Sequence, residues 1–160
     1  MIVVLMGVTG SGKTTVGQAL AENLGWKYLD ADDFHPTTNV AKMRAGTPLD
    51  DDDRQPWLET LVHLISDKIQ AGDSAVLACS ALKQNYRDTL SISDEVQFVY
   101  LNGDRETIAE RLRSRRDHYM NPNLLDSQFE TLEEPKDALE IDTTLPVVAI
   151  IQRIRTALEI

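Results

Sequence analysis

The sequence holds one cysteine, Cys79, among 160 residues. No disulfide can close within the chain, and no cysteine-based zinc cluster can form. Long hydrophobic runs are also missing. The apolar start, Met1-Ile2-Val3-Val4-Leu5-Met6, falls far short of the roughly 20 residues that span a bilayer. It has no basic residues before it, so it is expected to be a buried first strand and not a targeting segment. Basic charge is scarce: 16 Lys and Arg stand against 26 Asp and Glu, a formal net charge of -10. Such a surface repels a phosphate polymer, and with aromatics at only 6% it argues against a nucleic-acid partner. A small anion in a local basic pocket stays open. No membrane partner is expected, and the cytoplasm is the default location.

What is present suits one ordered domain. Hydrophobic residues make up 42% and charged residues 26%, and a chain of this length buries enough surface to hold a core without covalent staples. Apolar runs alternate with helical patterns. Strands are predicted at Ile2–Met6, Lys27–Leu29, Ala75–Cys79, Val96–Leu101 and Leu139–Ile141. Between them lie helices starting at Lys13, Pro36 and just after Asp50–Asp53, then from about Lys83 and from Asp104, with a last one from Pro146. The third strand is apolar without alternation, as in a parallel sheet covered on both faces. The expected fold is α/β, a three-layer α-β-α arrangement around a central five-stranded parallel sheet. It is read as a single domain, with a small lid at about 115–130 where the rhythm breaks. Ligands of such sheets sit beyond the carboxyl ends of the strands. Trp57 is expected in the core and His63 at the edge of the long helix's apolar stripe.

The firmest local signal is Gly7-Val8-Thr9-Gly10-Ser11-Gly12-Lys13-Thr14, a full G-x-x-x-x-G-K-[ST] run between a strand and a helix. Glycines let successive backbone N–H groups turn inward, and the helix start adds partial positive charge. This predicts binding of a nucleoside triphosphate through Gly7, Thr9, Gly10, Ser11, Gly12, Lys13, Thr14 and Thr15. Lys13 is placed to reach the β and γ phosphates, and the Thr14 hydroxyl to serve Mg²⁺. The third strand lacks a terminal Asp to assist the metal, and no N-K-x-D run reads guanine. Another acid is then needed, and Asp30-Ala31-Asp32 follows strand two. If the strand continues through them, both carboxylates face one way, one toward magnesium-bound water and the other toward the acceptor hydroxyl.

Further candidates line up on the acceptor side. His35 can donate to a polyhydroxy or anionic substrate. Arg54 suits a carboxylate, since a guanidinium binds it through two parallel bonds. Ser80 and Lys83 follow the third strand. Arg111 and Arg115 share a helix face and can meet adenine or phosphates. His118 lies in the proposed lid, and Gln128 where it returns.

Taken in order, these motifs resemble the bacterial-type gluconokinase family, within the group that includes shikimate and adenylate kinases. They are the Gly7–Thr14 loop, Asp30-Ala31-Asp32-Asp33-Phe34-His35-Pro36 and Pro48-Leu49-Asp50-Asp51-Asp52-Asp53-Arg54 with Pro56-Trp57. Cys79-Ser80-Ala81-Leu82-Lys83 with Tyr86-Arg87 comes next. Arg111-Leu112-Arg113-Ser114-Arg115-Arg116-Asp117-His118 and Gln128-Phe129-Glu130-Thr131-Leu132-Glu133-Glu134-Pro135 complete the set. The resemblance implies transfer of the γ-phosphate of ATP to the 6-hydroxyl of D-gluconate, with Mg²⁺, in a homodimer. It implies Lys13, Asp32 and Arg115 as catalytic residues and Thr14 and Asp30 at the metal. Arg111 and Arg115 fall on the nucleotide side. His35, Arg54, Ser80, Lys83, His118 and Gln128 join Asp32 on the substrate side. Asp117 stands where members often carry Gly, which bears on the stiffness of the lid turn. A related kinase for shikimate or another small sugar acid, and a non-enzymatic ATP-binding module, are the alternatives.

Overall fold

The computed structural model describes residues 1–114 and 122–160. Its elements run β1 (Ile2–Met6), α1 (Lys13–Leu24), β2 (Lys27–Asp30), a 3-10 turn (Ala31–Phe34), α2 (Thr37–Arg44) and α3 (Asp51–Gln70). Then come β3 (Ala75–Ala78), α4 (Gln84–Leu90), β4 (Val96–Asn102), α5 (Arg105–Ser114), α6 (Pro122–Thr131), β5 (Leu139–Asp142) and α7 (Val147–Leu158). The five strands form one parallel sheet in the order β2-β3-β1-β4-β5. The expected architecture is therefore the observed one, with strand boundaries moved by a residue.

All five residues of β1 are buried, because the strand is covered on both faces. Alternate side chains go opposite ways. Ile2, Val4 and Met6 join Trp57, Leu58, Leu61 and Ile65 of α3 and Tyr86 and Leu90 of α4. Val3 and Leu5 join Val16, Leu20 and Ala21 of α1 and Ile150 and Ile154 of α7. Each large apolar side chain buried this way contributes about 1.5–3 kcal/mol, so the central strand is the best-held part of the molecule. That strand ends in the phosphate loop and gives it a rigid base. Trp57 is in the core as expected, its indole N–H donating to the Ala31 carbonyl at 2.7 Å. His63 is exposed.

The acidic run before α3 has a structural task. Asp50 Oδ1 accepts from the Asp53 N–H at 2.8 Å, and Asp53 Oδ2 accepts from the Asp50 N–H at 3.1 Å. This reciprocal cap satisfies two of the helix's orphan donors. Four adjacent acids thus mark the point where a 20-residue helix begins.

Two positions give tests of the packing. Gly17 lies where α1 crosses β2. A Cβ there would stand 2.7 Å from Cε2 of the Tyr28 ring, and that ring is held at its hydroxyl by Asp30. Gly17→Ala gains about 1 kcal/mol of helix propensity, but overpacking costs about 1–3 kcal/mol. A melting temperature lower by up to about 8 °C is expected, read by calorimetry. Cys79 lies under the sheet's carboxyl edge, and burial pushes its thiol up to about 12. A thiolate is the reactive form. A maleimide should therefore leave the native protein unlabelled over the time that fully modifies the denaturant-unfolded chain.

Candidate active site

The loop from Gly7 to Gly12 connects a buried strand to a helix. Gly7 has φ 145°, and a Cβ there would come within 2.8 Å of Ser11 Oγ and 2.9 Å of the Leu101 carbonyl. No side chain fits, so the loop can close tightly over β4. Gly12 occupies the N-cap of α1 in a left-handed conformation with no side-chain cap, and the first turn of α1 has no acid. The start of α1 thus carries no side-chain cap and no acid, and the helix dipole there favours an anion. The Lys13 Nζ donates to the carbonyls of Gly7 and Val8, each at 2.9 Å. This places a cation directly across the loop.

One cleft is lined by Thr9, Gly10, Gly12, Lys13 and Thr14 of the loop together with Asp30, Asp32, Ala78, Ser80 and Gln128. Residues distant in sequence meet there because β1, β2 and β3 are adjacent and end at the same edge. The two acids do not share an extended strand, so the condition under which both would face one way is not met. The strand stops at Asp30, whose Oδ1 accepts from the Asp32 N–H at 3.1 Å. That bond turns the chain into a 3-10 turn, the usual effect of an Asp side chain on the backbone two residues on. Both carboxylates still reach the cleft, now from different backbone conformations.

Their environments differ. The Tyr28 hydroxyl shares a hydrogen bond with Thr14 and donates to Asp30 Oδ2 at 3.3 Å, and burial pushes the Tyr28 hydroxyl up to about 12. Thr14 and Asp30 are thereby held on one edge. The Asp32 side chain is 82% exposed on the cleft floor. Even so, its pKa is raised, first by the protein atoms crowding its carboxyl and then by the charge of Asp30. His35 and Lys13 pull the other way.

No group of three metal-ligating His, Cys, Asp or Glu side chains occurs among the described residues. Mg²⁺ does not need one. It keeps several waters and takes one or two carboxylates plus phosphate oxygens. One hydroxyl and one carboxylate, held by a shared tyrosine beside a phosphate loop, fit that ion.

Next to the cleft stands a cluster drawn from α3, α4 and the residue that ends the 3-10 turn. The His35 ring stacks on Trp57 with centroids 4.5 Å apart and planes at 14°. Its Nε2 is 3.8 Å from Asp32 Oδ1. Arg54 Nη1 donates to the Tyr86 hydroxyl at 3.4 Å, with the guanidinium 5.8 Å over that ring. Tyr86 in turn donates to Asp51 Oδ1.

This geometry has known counterparts. The sequence model of the shikimate kinase family matches residues 9–144. A probable gluconokinase from Xenopus tropicalis is 44% identical over 169 residues, covering 92% of this chain and 89% of the relative. The chain belongs to the gluconokinase family. Among solved structures, a gluconokinase from Sinorhizobium meliloti 1021 is 38% identical with a TM-score of 0.84, covering 98% of this chain and 94% of that one. An unliganded sugar kinase from Janibacter sp. HTCC2649 is 42% identical with a TM-score of 0.90, covering 99% and 94%.

Within this gluconokinase frame the expected site residues other than Gly7 and Arg54, placed above and outside the cleft lining, fall into three sets. The first set, Thr9, Gly10, Gly12, Lys13, Thr14, Asp30, Asp32, Ser80 and Gln128, lines the cleft, and His35 borders it. Gln128 sits nearer the nucleotide side than expected: its Oε1 accepts from the Thr9 N–H at 2.6 Å. The second set stands apart from the cleft. Ser11 is buried, with its side chain against Gly7, so its contribution is to the loop's shape. Thr15 is exposed on α1. Lys83 bonds Asp51 at 2.8 and 3.0 Å, so its charge is already answered. Arg111 donates to the Thr143 carbonyl just beyond β5. The third set, Arg115 and His118, lies outside the described residues. Of the expected lid at 115–130, the part from 122 forms α6. Leu125, Phe129 and Leu132 there pack on Val8 and Leu82.

Residues not singled out from sequence also matter. Tyr28 links Thr14 to Asp30, and Asp51 and Tyr86 order Lys83 and Arg54. Arg87 is 3% exposed and donates to the carbonyls of Ala81, Leu82 and Glu133. It holds the acceptor-side loop, where Ala81 has φ 42°, against the segment after α6. Tyr86-Arg87 was visible as a motif, but its role depends on contacts across the fold.

Proposed function

We propose that this protein transfers the γ-phosphate of ATP to the 6-hydroxyl of D-gluconate, giving 6-phosphogluconate and ADP. The observation that carries this reading is the single cleft in which Lys13 and the α1 N-terminus face Asp32 and Ser80. A phosphate donor and a hydroxyl acceptor can meet there, and the family relationship favours gluconate as the acceptor.

In this reading the Gly7–Thr14 loop holds the triphosphate, and Lys13 neutralises charge on the β and γ oxygens. Mg²⁺ would be held by Thr14 and Asp30 and would supply charge neutralisation for the phosphates. Asp32 orients the attacking hydroxyl and accepts its proton. Arg54 and Ser80 hold the sugar acid. Arg115 and His118 are assigned to the phosphate side by the family pattern alone. Catalysis is then mostly alignment and preorganised charge. Assembly as a homodimer belongs to the same proposal and is read from the solution mass. No helix among the described residues is long and apolar enough to cross a membrane.

The deciding assay measures ADP formation from ATP and Mg²⁺ with D-gluconate, gluconate stereoisomers, shikimate, AMP or no acceptor, with the product weighed by mass spectrometry. Turnover is expected with D-gluconate and a mass gain of one phosphate. Preference for shikimate would keep the kinase fold and move the error to the acceptor pocket. ATP binding without transfer to any acceptor would leave only a nucleotide-binding module.

A further inference from the structure

The only buried residue of α2 is polar. Asn39 is 2% exposed in a short helix that otherwise lies on the surface, and a buried amide must find partners for its donors. Its Nδ2 donates to the Asp53 carbonyl at 2.7 Å and lies 3.3 Å from His35 Nδ1. The Asp53 carbonyl can only accept. It therefore fixes which end of the Asn39 amide is nitrogen, an assignment that geometry alone often leaves open. With one amide hydrogen on Asp53, the other points at His35 Nδ1, which must offer its lone pair. A neutral imidazole that accepts at Nδ1 carries its hydrogen on Nε2, the edge facing Asp32. An imidazolium would set Nδ1–H against the amide hydrogens. The Trp57 ring meanwhile holds the imidazole plane by stacking.

We propose that Asn39 is a positioning residue that locks His35 as the neutral Nε2–H tautomer, so that His35 donates a hydrogen bond in the acceptor site and Asp32 alone takes the acceptor's proton. Two groups beside the cleft are chemically able to act as a base, His35 and Asp32. The lock removes the first, because the only nitrogen with a free lone pair already faces a donor. A 3.8 Å separation between Nε2 and Asp32 Oδ1 is too long for a direct hydrogen bond. An oxygen bound within reach of both atoms would accept from Nε2–H and give its own proton to Asp32. The electrostatic setting agrees: burial and the Arg54 charge lower the His35 pKa, against the raising influence of Asp32. The part of this inference that concerns transfer rests on the sugar-acid kinase reading, whereas the tautomer does not.

The test begins with the wild-type protein. Long-range ¹H–¹⁵N correlation near neutral pH reports which ring nitrogen carries the hydrogen. The His35 signal is assigned among the three histidines by its loss in His35→Gln. A pyrrole-like Nε2 and a pyridine-like Nδ1 are expected. An Nδ1–H tautomer or an imidazolium would overturn the lock. Kinetics supply the second arm. His35→Gln keeps an N–H donor of similar reach and no base, so its kcat should stay within about tenfold of wild type, whereas His35→Ala should lose about tenfold more than that. If Gln is as poor as Ala, the donor role fails. Asn39→Asp accepts where Asn donates. It should turn the ring to Nδ1–H and lower kcat with the KM for ATP unchanged. An Nδ1 that stays without a hydrogen in that variant would also overturn the proposal. If Asn39→Asp does not fold, the wild-type spectrum and the His35 pair decide. Failure of the kinase reading looks different: wild type then shows no turnover with gluconate, whatever the tautomer.

Discussion

Replacing Lys13 with Ala is expected to lower kcat for phosphoryl transfer by at least about a hundredfold to a thousandfold, the usual effect of removing one preorganised charge stabiliser. The physical argument is local. Lys13 stands at the first position of α1, and its Nζ already crosses the loop to the Gly7 and Val8 carbonyls. It needs little reorganisation to meet phosphate oxygens, which are stronger acceptors than neutral carbonyls. Charge builds on those oxygens during transfer, so the loss should appear chiefly in kcat. Lys13→Arg makes the sharper control. It keeps the charge but replaces a compact ammonium with a planar fork that the narrow loop does not match, so it should rescue poorly. A kcat near the wild-type value in Lys13→Ala would remove the phosphate-loop assignment.

The parts of this site that could be read from sequence are those built by near neighbours in the chain. The Gly7–Thr14 loop encodes its own conformation, because its glycines supply the φ values and the close approach that the turn needs. The strands were legible because a sheet covered on both faces leaves runs such as Ala75–Ala78 apolar throughout. Asp30 and Asp32 are legible for their chemistry and for lying at the end of a strand predicted to stop at Leu29, but not for how the chain turns there. An Asp can cap the N–H two residues later, and that bond ends the strand at Asp30. Lys83 shows a different limit. As a cation after β3 it suggested substrate binding, yet its partner Asp51 is 32 residues away, and only the packing of α3 on α4 brings them together. Asn39 had the faintest signal. It lies four residues after His35, but a lone Asn in a polar helix reads as surface. Its burial comes from the start of α3 crossing over it.

Asp32→Asn is expected to reduce gluconate phosphorylation by about a hundredfold to ten-thousandfold, the range for loss of a positioned general base. ATP affinity should be largely unchanged, because the loop and Lys13 remain. A fall in activity alone would also follow from damage to the fold, so stability must be measured beside it, and here the expected sign is opposite. The Asp32 pKa in the folded protein is raised from 3.8, chiefly by crowding of its carboxyl and then by Asp30. The unfolded chain therefore gives up this proton at a lower pH than the folded one. Ionising Asp32 disfavours folding as pH rises through that interval, and the penalty is fully present above the folded pKa. Asn carries no such charge. The variant should melt at or above the wild-type temperature at neutral pH, and the difference should shrink as pH falls toward 3.8. An inactive variant that is equally or more stable identifies Asp32 as a group whose ionised form is kept in the cleft for chemistry, at a small cost to the fold. A variant that loses activity together with stability would assign Asp32 to holding the turn after β2. Near-normal turnover would show that neither the proton nor the position of the acceptor hydroxyl depends on this carboxylate.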